Sequence, residues 1–96
     1  MRESEIQRKM LLYLKGVPNL YVVNFVGSAV TAKGTPDILC CYKGKFIALE
    51  VKTPDKKNNV SDLQEHNINE IIKNGGLAYV VWELNQVKKI IEGLEK

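Results

Sequence analysis

Residues 34–52 read GTPDILCCYKGKFIALEVK. Two runs rich in apolar, β-branched and aromatic residues, DILCCY and KFIALEVK, flank Lys43-Gly44, the pattern of a β-hairpin. A two-residue loop sets Tyr42 opposite Lys45 and, carried along the ladder, Asp37 opposite Glu50. A four-residue loop keeps that register, whereas a three-residue loop shifts it. Directly opposed Cβ atoms stand roughly 4.5–5.5 Å apart, so two carboxylates are predicted to repel each other at the end of strands otherwise suited to a core. Lys52 lies two residues beyond Glu50 and emerges on the same face, which Leu39, Cys41, Phe46 and Ala48 continue as apolar support.

This trio has a chemical use. An acidic pair in a neutral setting raises a carboxyl pKa, and a divalent cation between the two relieves the repulsion instead. Hard oxygen donors suit magnesium. Such an ion, with an amine beside it, serves phosphodiester hydrolysis, which needs an ionised water, neutralised phosphate charge and in-line alignment. The plain alternative is a solvated Glu-x-Lys pair at a strand end. The cross-strand Asp37, following a Gly-Thr-Pro turn, tips the reading toward a site.

The flanking chain alternates helix and strand. Glu3 to Lys15 place Ile6, Met10, Tyr13 and Leu14 on one stripe of a helix, ended by Gly16 and Pro18. LYVVNFV reads as a strand and GSAVTAKGTP as a loop of small residues. After the hairpin, TPDKKNNV is polar, and Ser61 with Gln64 fits a capping box opening a helix whose apolar side holds Leu63, Ile68, Ile71 and Ile72. Gly75-Gly76 stops it. LAYVVWEL reads as a central strand covered on both faces, and Asn85 can cap a short final helix carrying Val87, Ile90, Ile91 and Leu94. The order α-β-β-β-α-β-α predicts an α/β protein with one mixed sheet flanked by helices.

Composition sets the bounds. The 96 residues suit one domain with a single core. A hydrophobic fraction of 45% and a charged fraction of 26% are those of a globular protein. No apolar run reaches the roughly 20 residues of a membrane-spanning helix, and the first ten residues are too charged for a signal peptide, so no membrane partner and a cytoplasmic location are expected. A net charge of +3 permits nucleic-acid binding without requiring it. Adjacent Cys40 and Cys41 point to opposite strand faces and read as buried thiols in a reducing compartment. Lys33, Lys43, Lys45, Lys56 and Lys57 surround the hairpin as phosphate contacts or simply solvated charges. His66 reads as exposed. The aromatic residues read as core, with Tyr42 at the turn the one to test for DNA contact.

The Pro36-Asp37 and Glu50-Val51-Lys52 motifs, with a small hairpin between them, resemble the PD-(D/E)XK nuclease superfamily, and within it the VRR-Nuc family. That family similarly opens with a helix like ESEIQRKMLLYL and carries a Gln near the start of the helix after the EVK strand. The likeness spans Glu3 to about Trp82, and standalone members of this size are typical of phages and bacteria and resemble archaeal Holliday-junction resolvases. It implies a restriction-endonuclease-like fold and a single nuclease domain over residues 1–96. It further implies magnesium, replaceable by manganese, held by Asp37, Glu50 and the Val51 carbonyl, with Lys52 as the catalytic lysine. Glu3 matches the first-helix acid, with Glu5 the substitute. Gln64 matches the extended motif, the capping box being its other reading. Ser28 matches a small polar residue near the resolvase site. The implied activity is structure-selective DNA cleavage by a homodimer acting on branched or four-way DNA in a bacterial or phage-infected cell, with no small-molecule substrate. A noncatalytic DNA-binding module on the same fold and an RNA-directed nuclease are the alternatives.

Overall fold

The structure is a computed structural model that describes residues 1–25 and 33–95. Ser28 lies outside the described residues. The elements follow one another as α1 (Glu3–Lys15), β1 (Leu20–Asn24), β2 (Ile38–Tyr42), β3 (Lys45–Val51), a short 3-10 turn (Pro54–Lys56), α2 (Asp62–Lys73), β4 (Leu77–Val81) and α3 (Leu84–Leu94). The expected order of helices and strands is therefore observed.

The hairpin turns where the sequence places it. Lys43 and Gly44 both take positive φ, 54° and 76°, as the tight turn favoured between two twisted antiparallel strands requires. Tyr42 faces Lys45 and Ile38 faces Leu49, the register of a two-residue loop. β1 pairs antiparallel with β2, and β4 pairs parallel with β3, so the described strands form one sheet in the order β1-β2-β3-β4. The ladders run slightly past the strand ends: the Phe25 amide donates to the Asp37 carbonyl (2.8 Å) and the Lys52 amide to the Val81 carbonyl (2.9 Å).

Alternation decides which residues meet the helices. One sheet face presents Ile38, Cys40, Tyr42, Ile47, Leu49, Val51 and Val81. These pack with Ile6, Met10, Leu11 and Leu14 of α1 and Val87 and Ile91 of α3 into a continuous core. The i, i+4, i+8 spacing of Ile6, Met10 and Leu14, with Leu11 beside them, gives that helix one apolar stripe, and Leu12 off the stripe is exposed. α2 packs on the other face, against β3 and β4.

Several expectations change. β4 is covered by α2 on one face and α3 on the other, which explains its apolar run, yet it stands at the edge of the described sheet rather than at its centre. It ends at Val81, and Glu83, not Asn85, takes the N-cap position of α3. Helix α2 has no fully buried residue, and Leu63 and Ile72 on its apolar side are 46% and 52% exposed. Cys40 is buried but Cys41 is exposed, because the face it points to is only partly covered. Tyr42 is buried, with its hydroxyl donating to Glu95 Oε1 at 3.2 Å, whereas Tyr21, Phe46 and Tyr79 are the exposed aromatics.

Leu14 is fully buried between α1 and the sheet. Leu14→Ala is expected to lower unfolding free energy by about 2–5 kcal/mol in denaturant melts. Leu12→Ala on the exposed side of the same helix is expected to stay within about 0.5 kcal/mol of wild type.

Candidate active site

The parallel pairing of β3 with β4 brings the carboxyl ends of both strands to one edge of the sheet. Crevices at such ends are where open α/β sheets bind ligands. The N-terminal end of α2 meets the end of β3 there. Asp37, immediately before β2, and Glu50, near the end of β3, extend the hairpin register by one position. The Asp37 carboxylate accepts a hydrogen bond from the Val51 amide at 2.8 Å through Oδ2, which fixes it across the strand gap.

Glu50 is 4% exposed, the one buried charged side chain among the described residues. Its pKa is pushed up from the ordinary 4.5 to about 8. Burial is the largest cause, followed by the charge of Asp37 and a hydrogen bond with its carboxyl; Lys52 opposes the rise, and Glu3 adds a little to it.

A single carboxamide organises the rest. Gln64 Nε2 donates to Glu50 Oε2 at 3.1 Å, while Gln64 Oε1 accepts from Lys52 Nζ at 3.1 Å and from the Ser61 amide at 3.0 Å. The opposite orientation would set the amide nitrogen against two donors, the Lys52 ammonium and the Ser61 N–H, so the contacts determine which way it points. Ser61 Oγ accepts from the Gln64 amide at 3.1 Å and completes the capping box. The two readings of Gln64 are thus one arrangement: the cap holds the side chain that bridges Glu50 and Lys52. Lys52 Nζ lies 3.9 Å from Glu50 Oε2.

The other sequence candidates fall at different distances. Glu3, in the first turn of α1, acts on Glu50 only through its charge. Among the described residues no group of three or more His, Cys, Asp or Glu converges on one point, so Glu3 stands back from the pair. Lys43 and Lys45 sit at the turn, the opposite end of the hairpin from the carboxylates, and do not share the site. Lys56 and Lys57 follow β3 at the site's end. His66 is exposed on α2.

The donor set has a definite character. Two carboxylates and the Val51 carbonyl at the strand end are hard oxygens, few in number. Magnesium takes one or two carboxylates and keeps waters and substrate oxygens for its remaining positions, so this set suits it. With Glu50 buried beside Asp37, the repulsion of the two acids is relieved by a proton on Glu50 or by a cation between them.

Comparison with known structures places this architecture. The chain is similar to a Holliday junction resolvase, Hjc, from the archaeal hyperthermophile Archaeoglobus fulgidus, at 18% identity, with a TM-score of 0.52 over 83% of this chain and 67% of that one. That likeness shows the fold, a restriction-endonuclease-like mixed sheet flanked by helices. No protein-family model and no curated protein matches the sequence.

Without metal, the folded state holds a proton on Glu50 that the unfolded chain releases above about pH 4.5. The stability that proton contributes is present below about pH 4.5 and lost as pH rises toward about 8. Chemical denaturation in EDTA is expected to show wild-type stability falling by a few kcal/mol across that window, and Glu50→Gln remaining nearly flat. Parallel curves for the two proteins would refute the buried-acid account.

Proposed function

We propose that the chain is a magnesium-dependent, structure-selective DNA endonuclease, a single nuclease domain that hydrolyses phosphodiester bonds as a homodimer on branched or four-way DNA. The observation that carries this reading is the buried Glu50 beside Asp37, bridged by Gln64 to the Lys52 amine at the open ends of β3 and β4. An acid so placed is a burden in a protein that uses it for nothing, since burying charge is costly unless it is paired.

In this reading Asp37, Glu50 and the Val51 carbonyl hold magnesium, with manganese able to replace it. The bound ion would supply neutralising charge and a more acidic water. The chain's own residues do the positioning. The Val51 amide keeps Asp37 across from Glu50, and Gln64 keeps the Lys52 ammonium facing the same space. Lys52 donates hydrogen bonds, orienting the attacking water and offsetting charge that builds on the phosphate oxygens. Glu3 contributes from the start of α1 as a more distant acid. The resolvase likeness supports a nuclease of this fold, and junction DNA is the substrate it suggests.

A sheet face supports the homodimer. Tyr21, Val23, Leu39, Cys41 and Phe46 form an apolar shelf on the side of the sheet that carries Asp37 and Glu50. Tyr21 is 71% and Phe46 46% exposed, more aromatic surface than a free face needs. Large aromatics can each bury about 150–250 Å², so they form the centre of an interface whose standard size is about 800 Å² per partner. A two-fold pair presents two sites, as symmetric cutting of a four-way junction demands.

Purified protein is expected to cleave four-way or branched DNA with magnesium or manganese and to leave it intact in EDTA. Lys52→Ala and Glu50→Gln should each lower the rate by at least about 100-fold while keeping wild-type circular dichroism. Cleavage undiminished in either variant would remove these residues from the chemistry. Metal-independent binding with no cleavage under any condition would instead establish the noncatalytic DNA-binding module.

Sedimentation equilibrium is expected to give a dimer for wild type and a monomer for Phe46→Asp, since a charge at the centre of an apolar contact typically costs several kcal/mol of association. A wild-type monomer at micromolar concentration would rule out the dimer.

A further inference from the structure

A cavity that does not hold the carboxylates lies at the same end of the sheet, where β3 and β4 finish. It measures about 400 Å³ and is walled by Ile6 and Lys9 of α1, Pro54, and Trp82, Glu83 and Leu84 between β4 and α3. Its link to the site is direct. The Lys52 amide donates to the Val81 carbonyl at 2.9 Å, so the residue after Lys52's partner is Trp82. Glu3 lies one helical turn before Ile6.

The walls are apolar apart from a few polar groups. Lys9 lines the cavity, and Lys57, outside the lining, places its Nζ over one face of the Trp82 ring, 5.1 Å from the centroid, which leaves the opposite face for stacking. Glu83 adds an acceptor. The segment is braced: the amides of Trp82 and Glu83 both donate to Gln86 Oε1, at 2.7 and 3.0 Å. Trp82 itself is half-buried and keeps part of its surface open.

A ligand for this pocket must have a flat apolar body, tolerate an acceptor at its edge and carry negative charge toward the lysines. An aliphatic chain has no use for the amines, and a free phosphate has none for the apolar walls. A nucleotide satisfies all three demands: its base stacks on an indole, its amino groups donate to a carboxylate, and its phosphate meets ammonium groups. The volume falls within the range of about 300–1,000 Å³ typical of small-ligand sites.

We propose that this pocket takes an unpaired nucleobase of the DNA strand being cut, with Trp82 as its stacking platform. The proposal rests on the nuclease reading above and gives it a source of selectivity. A base paired within a duplex cannot turn into the pocket without the loss of its partner and stacking. Strands with unpaired nucleotides next to the scissile phosphate, at flaps, gapped branches or single-stranded ends, fill it freely, whereas a fully paired four-way junction must open a pair at its crossover.

Trp82 is the only tryptophan in the sequence, so its emission reports on this pocket alone. In EDTA, saturation of the full chain with flap-bearing DNA, followed by anisotropy, is expected to quench Trp82 emission, and saturation with blunt duplex to leave it unchanged. Trp82→Leu is expected to weaken flap binding by about 5- to 150-fold, whereas Trp82→Phe, which keeps a ring to stack on, stays within about threefold of wild type. Unchanged emission on saturating flap DNA, or equal quenching by blunt duplex, would overturn the proposal, as would wild-type flap affinity in Trp82→Leu. The two readings separate cleanly. Cleavage with magnesium but no quench removes the pocket and leaves the nuclease; quench without cleavage under any metal leaves the pocket and removes the nuclease.

Discussion

Asp37 and Glu50 oppose one another because a tight turn at Lys43 and Gly44 sets the register of β2 on β3, and nothing short of moving the whole strand can separate them. A slip of one residue would turn Ile47, Leu49 and Val51 out of the core and toward the other face. Those residues are almost fully buried against α1 and α3. The core therefore holds two acids together against their own repulsion. The rest of the site follows from that constraint: Val51 steadies one acid through its amide, Gln64 steadies the other, and Lys52 answers their charge from the next position along the same face.

The two faces of the sheet divide the work. One is sealed by α1 and α3 and provides the stiffness that an acid pair of this kind requires. The other is only partly covered by α2, and on it lie the carboxylates, the Gln64 bridge and the apolar shelf around Phe46. α2 itself buries little, but its first turn carries the cap that positions Gln64. Its value to the protein lies in what it aims more than in what it packs. The parallel partnership of β3 and β4 adds the last component, because it sets Trp82 alongside Lys52 instead of at the far edge of the sheet.

Charge placement follows the same division. Lysines gather at both ends of the hairpin, but only Lys52, Lys56 and Lys57 follow β3 at the acidic end, while Lys43 and Lys45 stay at the turn. Net charge alone says little about such a molecule, since a cation some five residue pairs along a strand, roughly 17 Å away, is largely screened at physiological salt.

Short-range patterns were legible in the residue order by itself. The hairpin and its register depend on a dipeptide turn and period-two alternation, so Asp37, Glu50 and Lys52 were brought to one face without any long-range information; the capping box at Ser61 and Gln64 is equally local. Tertiary structure decided everything that depends on which surface a helix covers. The apolar run 77–84 looked central, yet it belongs to an edge strand shielded by a helix on each face, a difference that no alternation pattern records. Tyr42 went inside and Tyr21 outside because α1 and α3 lie on one face of the sheet and α2 shields only part of the other. Gln64 was readable as a cap or as a site residue, and only the approach of α2 to the end of β3 lets the capping side chain also bridge Glu50 and Lys52. The cavity beside Trp82 is assembled from α1, the turn after β3 and the start of α3, segments far apart in sequence, and contacts of that range are settled by the packing of the whole chain.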